Sequence, residues 1–286
     1  MTVHFFRQII YYKHMKFQQK LDTRIQKINS LACVGLDADM GKIPKHLKGS
    51  EFPQFSFNKA IVDATHDVVI AYKPNSAFYE ARGVDGIAEL KMTCDYLHEQ
   101  HPDISIILDA KRADIGNTNE GYVKFAFDYL GVDAITLHPY LGYEALKPFL
   151  DRTDRGCIIL CRTSNSGSGE FQDLNVDGKP LYRIVAERVA REWNVNGNCL
   201  LVVGATYPKE LAEVRNIVGD MTFLIPGIGA QGGDVEKTVR SGINAQKQGM
   251  IINSARGIIF ASTQADFAEK AGIEAKKLRD EINKYR

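Results

Sequence analysis

The 286-residue sequence predicts a single (β/α)8 barrel. Three observations carry that prediction. Eight short apolar runs, often β-branched, recur along the chain, and segments of helical period lie between most of them. Polar residues gather at the ends of the runs rather than inside them. Near-continuous apolar character, in place of alternation, suits parallel strands that helices cover on the outside. An open doubly wound sheet is the alternative, but it usually has fewer strands and no need to close.

In chain order, the start "MTVHFFRQIIYYKHMK" is basic and aromatic. Its apolar stretch is interrupted and no small-residue cleavage site follows, so it reads as an extension rather than a signal peptide. Met15 offers an alternative start, which would make residues 1–14 a prefix. Residues 1–20 are accordingly expected to be an N-terminal extension and 21–286 the barrel domain. The strand candidates follow: "LACVGLD" (31–37), "VVIAYKPN" (68–75), "ISIILDAK" (104–111) and "DAITLHP" (133–139). Then come "GCIILCRTS" (156–164), "CLLVVGAT" (199–206), "TFLIPGIG" (222–229) and "GMIINSAR" (249–256).

Between them, Tyr122, Phe125, Ala126 and Tyr129 mark one face of a helix over 119–130, with Gly131 suited to stop it. Leu181, Ile184, Val185 and Val189 do the same for 181–193. A helix over 208–218 opens on Pro208 and carries Leu211, Val214 and Val218. A long amphipathic helix over 264–284 presents Phe267, Ala271, Ala275, Leu278 and Ile282. No proline-rich or low-complexity linker divides the chain.

The charges nearly cancel, 36 basic against 35 acidic, which argues against nucleic-acid or membrane partners bound through bulk electrostatics. No apolar run approaches the length of a transmembrane helix. Five cysteines, odd in number and without a CxxC pair, predict reduced thiols in a cytoplasmic protein.

Asp37, Lys73, Asp109, Lys111, His138, Ser164, Thr206, Gly229 and Arg256 all fall at strand ends, which in a barrel form the catalytic face. "LDAKRADIGNT" (108–118) is the densest stretch. Asp109 and Lys111 are two apart on one strand, so strand alternation predicts both on one face and Ala110 on the other. Two carboxylates about 4 Å apart repel by about 4 kcal/mol at an effective dielectric of 20, and an ammonium between them relieves this. An ordinary exposed turn of mixed charge remains the alternative. Gly227-x-Gly229-x-x-Gly232 fits a dinucleotide fingerprint out of its usual context; in a barrel, this region instead suits phosphate binding by backbone N–H groups. Arg256 would add a guanidinium fork, unless it serves a surface ion pair. Residues 161–180 form a Gly/Ser-rich excursion that is either a lid or a passive loop. His138 reads as a hydrogen-bonded structural imidazole, and no histidine pair has metal-site spacing.

Together these residues resemble the orotidine 5′-phosphate decarboxylase family, over roughly residues 30–260. "LDAKRADIGNT" is similar to the family's D-x-K-x-x-D-I-G-N-T motif. "VGLDAD", "AYKPNSAFYE", "LIPGIGAQGGD" and "NSARGI" occur in the expected order around it, and "KPNSAFYE" and "CRTSN" resemble the longer bacterial subgroup. The resemblance implies cofactor-free, metal-free conversion of orotidine 5′-monophosphate to UMP in pyrimidine synthesis. It implies Lys111 as proton donor to C6, Asp109 beside the substrate carboxylate, and Lys73 bridging the carboxylates and the ribose. Asp37 would bind ribose hydroxyls and Ser164 the pyrimidine amide; Gln231 and Arg256, with backbone near Gly229, would hold the phosphate. Asp114, with Ile115 and Thr118, would enter the neighbouring subunit's site in a homodimer. Ala113 departs from the glycine expected in this subgroup, a small change that alters no chemical role.

The chemistry fits on physical grounds. Loss of CO2 from an sp2 carbon leaves a carbanion without a carbonyl or imine to delocalise it. A fixed ammonium aimed at that carbon stabilises the charge and then delivers the proton. Two rival functions stay open: a magnesium-dependent keto-sugar phosphate decarboxylase or aldolase on a similar barrel, and a catalytically silent barrel that binds a phosphate ligand.

Overall fold

In each of the eight runs, residues that are apolar on both sides of the backbone form a strand buried on both faces. A computed structural model describes residues 11–12, 15–229 and 232–286. The strands are β1 (Ala32–Gly35), β2 (Ala71–Lys73), β3 (Ser105–Arg112), β4 (Ala134–Leu137), β5 (Gly156–Arg162), β6 (Cys199–Val203), β7 (Phe223–Ile225) and β8 (Met250–Ser254). Each pairs in parallel with its sequence neighbour, and β1 closes on β8 through Ala32↔Ile252, Cys33↔Asn253 and Val34↔Ser254. The predicted (β/α)8 barrel is the observed fold.

The helices pack their apolar faces on this barrel. They are α1 (Phe17–Ile28), α2 (Pro53–Thr65), α3 (Ser76–Glu80), α4 (Gly83–Gln100), α5 (Gly116–Val123) and α6 (Gly142–Leu150). Then follow α7 (Leu181–Arg188), α8 (Pro208–Val218), α9 (Val235–Gly242) and α10 (Phe267–Asn283). The segment predicted at 119–130 starts earlier, at Gly116, and after Val123 widens to π geometry through Tyr129. The helix predicted at 181–193 likewise passes into π geometry over Val189–Trp193. Gly131 takes φ +73°, the left-handed conformation that releases the chain toward β4.

α1 crosses residue 20, the boundary expected between extension and barrel. It buries Phe17, Leu21 and Ile25 against the end of the barrel where the strands begin. A Cβ on Gly156 would lie 2.5 Å from the Phe17 ring, so any larger residue at the start of β5 would force that ring to shift. Beside it Lys20 pairs at 2.9 Å with Asp133, whose Oδ2 also accepts the Ile106 N–H at 2.8 Å. The pair is buried but its carboxylate is also hydrogen-bonded, the condition under which such a pair is tolerated.

The excursion after β5 is ordered. It forms a turn at Ser166–Ser168, a short helix at Gly169–Gln172, and a two-residue hairpin pairing Asn175–Val176 with Lys179–Pro180. Arg162 anchors it: the side chain is buried, lies 3.9 Å from the Tyr207 ring centroid, and donates to Ser168, Gln172 and Asp173. The five cysteines are buried free thiols; burial pushes Cys33 up to about 12. Among the described residues, no helix is long and apolar enough to cross a membrane.

Candidate active site

The C-terminal ends of the strands surround a cavity of about 430 Å³. Asp37, Lys73, Asp109, Lys111, Ser164 and Arg256 line it, so six residues from β1, β2, β3, β5 and β8 or the turns that follow them converge as expected. Asp109 is the hub. Lys73 Nζ donates to its Oδ2 at 2.8 Å, Lys111 Nζ to its Oδ1 at 2.6 Å, and the Thr136 hydroxyl to Oδ1 at 3.0 Å. Lys73 is buried, whereas the Lys111 side chain is 49% exposed and free to meet a ligand.

Burial by itself would raise the Asp109 carboxyl. Lys73 and Lys111 outweigh it and hold the group well below the usual carboxylate range. Burial would lower the Lys73 ammonium, but Asp109 and then Asp37 outweigh that and raise it above the ordinary lysine value. Lys73 and Asp109 are therefore both charged at neutral pH, and Lys111 Nζ bonds the same carboxylate. Asp37 differs. Burial raises its carboxyl, and although Lys73, Lys111 and Arg256 offset part of this, Asp109 adds to it. Its Oδ1 is buried without a hydrogen-bond partner, while the residue itself lines the cavity. The backbone around it is held on both sides: the Leu36 carbonyl accepts Tyr79 Oη–H at 2.7 Å and the Ala38 carbonyl accepts Gln54 Nε2–H at 2.7 Å.

Asp109 and Lys111 reach the same cavity, but not by plain alternation. Leu108 pairs with Ile135 and Arg112 with Leu137, so four residues of β3 advance against two of β4. Lys111 takes φ +47° within this bulge, an unfavourable conformation for a residue with a Cβ. Its N–H is donated at 2.9 Å to Thr136 Oγ1.

Asp114, Ile115 and Thr118 do not line this chain's cavity. Asp114 accepts the Ile115 N–H at 2.7 Å, and Ile115 is 61% exposed. Asn119 shapes the loop, accepting the Asp114 N–H at 2.8 Å and donating to the Asp114 and Ala145 carbonyls. His138 bonds the Ala113 carbonyl at 3.2 Å through Nε2, in keeping with a structural imidazole. Arg256 forms no salt bridge among the described residues; it faces the cavity, not a surface partner. Gly229, at φ +75°, lines an adjoining hollow with Gly257 and the start of α9. Gln231 lies outside the described residues. Thr206 also stays off the cavity wall, its hydroxyl buried and unpartnered.

Sequence reasoning missed Asn75, Thr136, Thr163, Asn165, Gln172 and Asn253 on the cavity wall. Asn75 follows Lys73 by two and Thr136 interrupts the apolar "DAITL", signals that were available. Gln172 had none; it arrives by way of the excursion, where its amide accepts the Thr163 N–H at 2.9 Å and donates to Thr163 Oγ1 at 2.8 Å.

This arrangement offers a ligand an ammonium beside a carboxylate, a second carboxylate on the wall and a guanidinium. That matches a phosphorylated, hydroxylated substrate bearing a reactive anionic group. A family model described as orotidine 5′-phosphate decarboxylase / HUMPS family matches residues 32–271. Proteins named orotidine 5′-phosphate decarboxylase from Janthinobacterium sp. (strain Marseille) and Ralstonia pickettii (strain 12J) are 51% and 49% identical. The alignments cover 95% of this chain in each case, and 99% and 100% of theirs. The solved structure of Leishmania donovani OMP decarboxylase superposes with a TM-score of 0.82 at 38% identity, covering 95% of this chain and 99% of that one. A match that spans the barrel and holds at about half identity end to end makes this chain a member of the orotidine 5′-phosphate decarboxylase / HUMPS family.

Proposed function

We propose that the protein decarboxylates orotidine 5′-monophosphate to UMP in pyrimidine biosynthesis, with the Lys73–Asp109–Lys111 trio as its chemical centre. The observation that carries this reading is one ionised carboxylate gripped by two ammoniums, one buried and one open to the cavity, at 2.8 and 2.6 Å. The bond between C6 and the carboxylate carbon breaks, CO2 leaves, and the electron pair stays on C6. Lys111 Nζ stabilises that pair as it develops and transfers its proton to C6, then regains one from solvent. Asp109 lies beside the departing carboxylate, and Lys73 holds Asp109 charged. Asp37 accepts ribose hydroxyls, and Ser164 meets the pyrimidine amide. Arg256 with Gln231 and the backbone near Gly229 holds the phosphate, whose binding free energy keeps the substrate carboxylate near Asp109. Two chains form each pair of sites, with Asp114, Ile115 and Thr118 crossing over, and the protein works in the cytoplasm without cofactor or metal.

Loss of orotidylate absorbance on adding purified protein tests the activity; no change in absorbance would refute it. A metal-dependent reaction on a keto-sugar phosphate, carried by a similar barrel, is the second reading. Full decarboxylation of orotidylate in excess EDTA is expected, and its loss would favour that second reading.

Replacing the rim guanidinium, Arg256→Ala, should raise KM for orotidylate by about 100-fold or more, the worth of a bidentate charged contact. If phosphate binding also drives closure over the substrate, kcat falls as well. Unchanged kinetics would place the phosphate elsewhere.

A further inference from the structure

We propose that Thr136 is a positioning residue for this reaction: its hydroxyl sets the geometry of the Asp109–Lys111 pair. The proposal rests on the reading of Lys111 as proton donor. Thr136 is the one hydroxyl in β4, is 1% exposed, and faces the bulge of β3 across the strand pair. Both capacities of its oxygen are used on the two reacting residues. It accepts the Lys111 backbone N–H at 2.9 Å and donates to Asp109 Oδ1 at 3.0 Å. The direction of each bond is dictated, because an amide N–H can only donate and a carboxylate can only accept.

The consequence lies in the bulge. With four residues of β3 set against two of β4, the ordinary ladder cannot satisfy the Lys111 N–H, and the left-handed φ of +47° is unfavourable on its own. The Thr136 oxygen supplies the missing acceptor and so holds Lys111 in that conformation. The same oxygen turns Asp109 Oδ1, which also receives Lys111 Nζ at 2.6 Å. One atom thereby couples the backbone of the proton donor to the carboxylate beside it. Asp109 is further tied from the other side, where its N–H donates to the Pro74 carbonyl at 2.9 Å. A hydroxyl that merely satisfied a buried donor would matter for stability alone; this one also orients the group that bears the reacting proton.

Thr136→Val keeps the branched shape that suits a strand and removes only the hydroxyl. Its kcat should fall on the order of 10- to 100-fold, the cost of a slightly misplaced catalytic group. KM for orotidylate and Kd for UMP should stay within about two-fold, since phosphate and ribose contacts are untouched. Thr136→Ser retains the oxygen and should recover kcat to within about three-fold of wild type. A valine variant with kcat within about three-fold of wild type would overturn the proposal, as would a serine variant as slow as the valine one. So would a loss that appears in KM alone. Circular dichroism and thermal melting establish folding; should the valine variant not fold, Thr136→Ala against Thr136→Ser makes the same comparison. Lys111→Ala is assayed alongside. If it stays active, the donor reading fails and this proposal with it. If it is dead while Thr136→Val is fully active, only the positioning role fails.

Discussion

Lys111→Ala should abolish decarboxylation, by more than about 10⁴-fold, while UMP still binds. The magnitude follows from the proposed role, in which Lys111 is both general acid and the charge facing the developing carbanion, each worth at least 10²-fold. The fold should tolerate the change. The Lys111 side chain is half exposed, and Asp109 keeps Lys73 at 2.8 Å and the Thr136 hydroxyl at 3.0 Å. Asp109 therefore stays charged and satisfied, and the phosphate and ribose contacts proposed above are untouched. Steady-state assay of orotidylate loss, paired with calorimetric titration of UMP, checks both halves. Retention of more than a few per cent of activity would remove Lys111 from its role.

The second large effect tests the shared site. Asp114 sits outside its own chain's cavity, beside the exposed Ile115, on a loop that Asn119 holds in place. If each site of a two-fold dimer combines Lys111 of one chain with Asp114 of the other, Lys111→Ala and Asp114→Ala homodimers are each nearly inactive. Mixed in equal amounts and allowed to exchange subunits, half of all dimers become heterodimers. Each heterodimer has one site with both defects and one with neither. Specific activity should then recover to about a quarter of wild type, from random assortment in a closed two-fold dimer. Recovery near zero, with exchange confirmed by native mass spectrometry, would show that Asp114 serves its own chain.

Much of this site was legible in the sequence. A strand buried on both faces must be apolar at nearly every position, so all eight barrel strands stood out as runs. The polar residues ending those runs had nowhere to go but the barrel mouth. Lys73, Asp109, Lys111, Asp37, Ser164 and Arg256 do meet there. Four helices were also legible from their 3.6-residue period, Pro208–Val218 to the residue. These features are local, because each depends on a side chain's own polarity and on its spacing from near neighbours.

Only the tertiary structure decided the rest, because it depends on how distant segments register against one another. Alternation placed Asp109 and Lys111 on one face, but the actual route is a bulge whose extent is set by hydrogen bonding between β3 and β4. Thr136 is an unremarked hydroxyl in "DAITL" until that bulge brings the Lys111 N–H and Asp109 onto it. The excursion at 161–180 had no pattern of its own; its order comes from Arg162, buried against Tyr207 some 45 residues later and reaching forward to Gln172 and Asp173. Residue 20 looked like the end of an extension, yet α1 runs through it because Phe17 fills the space that Gly156 leaves and Lys20 finds Asp133. Spacing along the chain specifies which faces are apolar; the partner of a buried hydroxyl or ammonium is specified by closure of the barrel, which brings residues more than a hundred positions apart within hydrogen-bonding distance.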